Sequence, residues 1–216
     1  MDTCMDQSGR AKWQAAWVSR TFRNKVIAGI VLLFTILGTF PIFFKIIEER
    51  NGVALNDWLL NQLPAFNMSV PIFLIMWVST VFILLRSYQE PEIFVTFLWA
   101  YIILSVTRLL VISLVPLNPP AGLIELKDPI SNTFYGLRVV TKDLFFSGHT
   151  STVFLMFLCL KKRKDREIML AATFLIALLL LIQHVHYTID VLAAPFFTWL
   201  IYLSAKQFAH AEWPKK

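Results

Sequence analysis

Residues 143–167 read DLFFSGHTSTVFLMFLCLKKRKDRE, with polar Ser147-Gly148-His149-Thr150 at the mouth of an apolar run and a charged block closing it. This is the pattern of a membrane helix whose two ends do different work. Polar groups are costly in a bilayer, so those at the mouth need a reason. The rest of the chain reads the same way: it is 57% hydrophobic and only 16% charged, against about 45–50% and 25% in soluble domains. Apolar segments lie at roughly Val26–Ile47, Met68–Leu85, Ile93–Val115, Leu144–Leu160, Ile168–Ile182 and Tyr187–Ala205. Several approach the ~18–20 residues that cross a bilayer core. They are too long and too little alternating for barrel strands. The predicted fold is therefore all-α, an integral membrane six-helix bundle.

Charge predicts its orientation. Arg10, Lys12, Arg20, Arg23 and Lys25 precede the first segment, Lys161, Lys162, Arg163, Lys164 and Arg166 join the fourth to the fifth, and Lys206, Lys215 and Lys216 follow the last. With an even number of spans these regions share one side, which the positive-inside rule makes cytoplasmic, N- and C-termini included. The block KKRKDRE is thus read first as an orientation signal and second as a headgroup contact. Predicted organisation is a basic cytoplasmic segment over 1–25, a membrane domain over 26–205 and a cytoplasmic tail over 206–216. The polar, basic start shows no cleavable signal peptide. The net charge of +6 is distributed as topology requires, so no nucleic acid partner is expected. Cys4 and Cys159 form neither a disulfide framework nor a metal pattern.

The loops opposite the basic regions, Glu48–Asn67 and Pro116–Lys142, and the short turn before His186 fall on the exoplasmic side. Polar residues inside or beside the spans on that side are the informative ones. Gly148 lets a ligand or backbone approach closely, and a helix beginning near Ser147 directs its free amides at an anion. The alternative is an N-capping Ser147 with His149 reaching to the interface. In Gln183-His184-Val185-His186-Tyr187-Thr188-Ile189-Asp190, His186 and Asp190 are four apart and on a helix share a face. A carboxylate on one ring nitrogen fixes the tautomer and leaves the other basic, as a nucleophile or base requires; a structural pair is the alternative. His184 is expected in the turn, as an interfacial or substrate-contacting group.

Arg108 falls about seven residues, or roughly 10 Å, below the exoplasmic end of the third span. There its planar fork suits an acid or a phosphate, with snorkelling to the interface as the alternative. The loop 116–142 adds Arg138 and Lys142 beside Asp143, which is expected to pair with a base or with Arg138. Three separated segments thus bring two imidazoles, a carboxylate and a guanidinium to one membrane layer. That is the set needed for phosphoryl transfer through a phosphohistidine. Metal binding by the histidines and Asp190 has no third close ligand, and an acyl-transfer triad through Ser147 has no nucleophile elbow.

The blocks Asp143-x3-Ser147-Gly148-His149-Thr150 and His184-x-His186-Tyr187-Thr188-Ile189-Asp190-Val191 resemble the two C-terminal signatures of the sphingomyelin synthase family, a branch of the type 2 phosphatidic acid phosphatase superfamily. The resemblance implies catalytic His149, His186 and Asp190: His186 as nucleophile, Asp190 as its orienter and His149 as proton donor. Arg108, Ser147, Gly148, Asp143, His184, Tyr187, Arg138 and Lys142 are the expected substrate-binding residues. The implied reaction moves phosphocholine or phosphoethanolamine from a glycerophospholipid to ceramide or a related lipid alcohol, releasing diacylglycerol, without metal or cofactor. Lipid phosphatases of the superfamily carry a Ser-Arg pair where Leu179 and Leu180 stand here, which favours the synthase branch. Departures from that branch are Lys142 in place of a glycine before Asp143, and Val185 in place of an aspartate. The rivals are a lipid phosphate phosphatase or phospholipase C-type hydrolase and, from another class, a non-catalytic lipid-binding or transport protein. The expected partners are membrane lipids, and a homo-oligomer is compatible with the sequence.

Overall fold

The computed structural model describes residues 2–127 and 140–210. Seven α-helices occur among them: α1 Asp2–Val18, α2 Arg20–Glu49, α3 Ser69–Gln89, α4 Pro91–Leu114, α5 Gly148–Cys159, α6 Arg163–Ile182 and α7 Thr188–His210. A 3-10 turn covers Leu60–Gln62, and Val53 and Leu117 form an isolated β-bridge. All six predicted apolar segments are helical over most of their length. Four helices are long and apolar enough to cross a membrane: Arg20–Glu49, Ser69–Gln89, Pro91–Leu114 and Thr188–Ala209. These mark an integral membrane protein. The other two differ for physical reasons. α5 has only 12 residues, about 18 Å at 1.5 Å per residue, because Leu144–Ser147 stay out of the helix. α6 starts five residues before its predicted beginning and takes in Arg163–Glu167, which dilutes its apolar character.

The apolar surface is turned outward. Val31, Phe34 and Ile42 on α2, Val70 and Leu74 on α3, and Leu192 and Phe196 on α7 are all exposed, as lipid-facing helix sides require. The core is centred on α5, where Val153, Leu155 and Met156 meet Ile72 and Ile83 of α3, Ala100 and Leu104 of α4, Ile176 and Leu180 of α6, and Ala194 and Ile201 of α7. Pro71 falls in the first turn of α3, where its missing N–H is harmless, and Pro195 lies inside α7.

The two ends of the bundle are held differently. At one end, the Trp13 indole of α1 donates to the Tyr88 carbonyl (2.9 Å), Lys12 pairs with Glu90, and Lys161 pairs with Glu92. Arg86 of α3 grips the buried Asp165 of α6 through Nη2–Oδ1 (2.9 Å) and Nε–Oδ2 (2.8 Å). The charged block is therefore also a tie between helices. The basic start of the chain, predicted only as a segment, is a helix that packs on the α3–α4 corner. At the other end the connections 51–68, 116–127 and 183–187 meet. Val53 donates to the Pro116 carbonyl and accepts from Asn118.

Candidate active site

The turn between α6 and α7 is a hub, and most of its polar residues serve structure. Gln183 is fully buried; its amide donates to Ser69 Oγ (2.9 Å) and to the carbonyls of Ile124 and Glu125 (both 3.2 Å), and its carbonyl accepts from Met68 N–H (2.9 Å). His184, in the left-handed region at φ 55, sets Nδ1 against the Ala121 carbonyl (2.9 Å) and Nε2 against that of Leu63 (3.1 Å). A doubly protonated ring satisfies both carbonyls and a neutral ring only one. The Tyr187 hydroxyl donates to the Asn118 carbonyl (2.9 Å) and accepts from Leu55 N–H (3.0 Å). The turn is thereby fastened to both neighbouring loops. His184 and Tyr187, expected at the substrate, have their polar atoms committed to these loops.

That leaves His186 and Asp190. Both are buried, and His186 Nδ1 lies 3.4 Å from Asp190 Oδ2. The pairing was expected from a shared helix face, but its basis is different. His186 lies in the turn before α7, and only Asp190 is helical. Asp190 reaches back along the first turn, where Oδ2 also accepts Tyr187 N–H (3.0 Å), half of a capping box. Asp190 Oδ1 and His186 Nδ1 are buried polar atoms without a hydrogen-bond partner. At 3.4 Å the pair stands just outside the normal hydrogen-bond range, a spacing that tightens when catalytic pairs engage a substrate.

The second half of the site is built at the start of α5. Ser147 is the N-cap, its Oγ accepting Thr150 N–H at 3.4 Å. Its own N–H donates to the Asp190 carbonyl (3.1 Å), which joins the start of α5 to the first turn of α7. Arg108 of α4 arrives from the side. Its Nε donates to the Phe146 carbonyl (3.1 Å) and its Nη2 pairs with Asp143 (2.5 Å). Asp143, expected on a base or Arg138, is thus the partner of Arg108, and Arg138 lies outside the described residues. The guanidinium sits on the backbone of Gly148, where an added Cβ would fall 1.9 Å from Nη1 and 2.5 Å from Cζ. The glycine is there to admit the arginine. His149 follows, half-buried, its ring edge-on to Phe73 at 6.2 Å between centroids. Lys142 is occupied elsewhere: its Nζ donates to the carbonyls of Glu48 (2.9 Å) and Arg50, closing the end of α2.

Sequence reasoning overlooked two carboxylates at this end. Glu48 accepts from Thr141 and Lys142. Asp57 accepts from Leu59 and Leu60 N–H (both 3.1 Å) and from Thr188 N–H (2.6 Å) and Oγ1 (2.9 Å). Burial pushes the Asp57 carboxyl up, but the hydrogen bonds from Thr188, Leu60 and Leu59 outweigh it and hold it below the usual carboxylate range. An Asp before a short helical turn is a readable N-cap signal; its second partner, 131 residues away, is not. Beside Arg108, a small aromatic-lined crevice of about 30 Å³ lies between α2, α4 and α5, with Phe40, Phe44 and Tyr101 in its wall.

Residues 142–207 match the family described as PAP2 superfamily C-terminal. Neither the curated proteins nor the solved structures compared return a match. The matched segment contains His149, His186 and Asp190 and supports membership of the type 2 phosphatidic acid phosphatase superfamily. At that level it supports an enzyme of the lipid phosphatase or phosphotransferase kind.

Proposed function

We propose that this protein is a lipid headgroup phosphotransferase of the sphingomyelin synthase type, with six spans, cytoplasmic termini and an exoplasmic site. The observation that carries the reading is the seat of Arg108 on Gly148, at the start of α5, next in the chain to His149 and joined through Ser147 N–H to the Asp190 carbonyl. A guanidinium locked against a helix N-terminus suits a phosphate; His149 follows in the first turn of the same helix, and the Ser147–Asp190 bond ties that helix start to the turn of His186.

The chemistry runs in two displacements. The His186 Nε2 lone pair attacks phosphorus, an N–P bond forms, and the bond from phosphorus to the glycerol oxygen breaks. His149 gives its proton to that oxygen, and diacylglycerol leaves. Asp190, on Nδ1, stabilises the positive ring, while Arg108 and the start of α5 carry the charge on the phosphoryl oxygens. The acceptor hydroxyl then gives its proton to His149, its oxygen attacks phosphorus, and the N–P bond breaks. His184, Tyr187 and Lys142 act in this scheme as scaffold, and Asp143 as the residue that holds Arg108.

The test is incubation of purified protein with labelled phosphatidylcholine or phosphatidylethanolamine, with and without ceramide. A new sphingophospholipid formed only with ceramide is the expected result. Release of free phosphocholine, phosphoethanolamine or inorganic phosphate alone assigns a hydrolase instead, and no turnover at all favours a lipid-binding protein.

A further inference from the structure

We propose that Asp57 is a positioning residue for the His186–Asp190 pair, keeping Asp190 available to the imidazole by taking the competing amide of α7. The functional consequence rests on the phosphotransfer reading above; the structural one does not. Among the amides that open α7, those of Tyr187 and Thr188 each meet a different carboxylate. Asp190 Oδ2 takes Tyr187 N–H at 3.0 Å from within the helix, and Asp57 Oδ2 takes Thr188 N–H at 2.6 Å from the α2–α3 loop. Asp57 Oδ1 adds the Thr188 hydroxyl at 2.9 Å and two amides of its own loop.

The division matters because helix-opening amides seek acceptors, and an acid in the first turn is the natural one. Asp190 is two residues beyond Thr188, in that turn. Its Oδ2 is already shared between Tyr187 N–H and His186 Nδ1, and the His186 contact is the longer of the two at 3.4 Å. With Thr188 N–H left open, Asp190 has a second amide to satisfy, and the longer contact is the one that yields. Asp57 removes that competition from a residue far away in sequence. It also couples the α2–α3 loop to the orientation of His186, although its carboxylate bonds are to Thr188 and to its own loop.

The variant Asp57→Asn has one acceptor oxygen where the carboxylate has two, so it cannot serve Thr188 N–H and the loop amides together. The experiment uses the full chain in lipid nanodiscs with ¹⁵N-labelled histidine; the sequence has 4 histidines, and His186 is assigned by the signal lost in His186→Gln. In the unaltered protein His186 is expected as one tautomer, protonated on Nδ1 toward Asp190. In Asp57→Asn the two nitrogen shifts move toward each other as the tautomers mix. With phosphatidylcholine and ceramide, kcat is expected to fall between roughly ten- and a hundredfold, the range of a small misplacement, with KM little changed. Thr188→Val, which removes one of the two ties, should move both readouts the same way by less; it carries the test where Asp57→Asn does not fold. An unchanged His186 tautomer in the folded variant overturns the proposal whatever the activity does. A tautomer that responds in a protein that transfers no headgroup upholds the positioning and sinks the phosphotransfer reading.

Discussion

Gly148→Ala separates two physical expectations by sign. Considered alone, the change replaces the poorer helix former by the best one, and stabilises by about 0.5–1 kcal/mol. In this protein the new methyl would lie 1.9 Å from Arg108 Nη1, 2.5 Å from Cζ and 3.1 Å from Nη2. Relief requires the guanidinium to retreat by about 1.5 Å to reach ordinary contact distance. That retreat breaks the bonds to Phe146 and Asp143. Hydrogen bonds to charged groups contribute about 1.5–3 kcal/mol each, so the net change is a loss of roughly 2 kcal/mol or more. Catalysis should lose more than stability does, because a displaced phosphate-binding donor costs about 10²–10³ in kcat. Thermal unfolding in detergent and headgroup transfer measured on the same preparation give both quantities. A variant with unchanged or higher melting temperature and normal transfer would refute the seat of Arg108 on Gly148 and its role.

Three further expectations follow from the site and the bundle ends. His186→Ala should abolish transfer and His149→Gln should lower it by about 10²–10⁴; a substrate with a nitrophenolate leaving group, which needs no acid, should restore the first step to the His149 variant only. Arg86→Ala strands the buried Asp165 and should cost about 3 kcal/mol, whereas Arg86→Met with Asp165→Leu should recover most of it, as read by thermal unfolding. Asp57, held below its ordinary value of 3.8, contributes stability that is present above that pH and lost as pH falls through its lower folded value. The melting-temperature gap between the unaltered protein and Asp57→Asn should therefore be full at pH 7 and shrink as pH falls below the ordinary value of 3.8; a gap that does not shrink on acidification would contradict the assignment.

The helices could be read from the chain because a bilayer demands long apolar runs, and such runs are local. Where the runs failed to give the right ends, the cause was a tertiary contact. Leu144 and Phe146 are as apolar as any span, yet they are buried in the non-helical bend that leads to the N-cap of α5. The charged block looked like a topology signal, and its Asp165 is also a buried anchor for Arg86. At the site, His186 and Asp190 were paired by a spacing rule that assumes a helix, and the structure pairs them through a turn. Arg108 asked for an acid, but its partner Asp143 is 35 residues away, beyond any local pattern. The duties of His184 and Tyr187 were hidden for the same reason, since Ala121 and Leu55 lie 63 and 132 residues from them.

The brevity of α5 has a consequence for the membrane around it. Arg108 meets Gly148 six residues before α4 ends, so in the proposed phosphotransferase the reacting layer lies about 9 Å below the end of α4. A phosphate that reaches it must descend toward the acyl region, and lipid packing then enters the reaction rate as a mechanical resistance, higher in tight, thick bilayers than in loose, thin ones. The depth is also digital. One residue inserted in α5 shifts His149 by about 1.5 Å and swings it by roughly 100°, and only insertions near whole turns, about four or seven residues, face it inward again. Evolution or design can therefore tune this site's depth in whole turns of helix, or not at all.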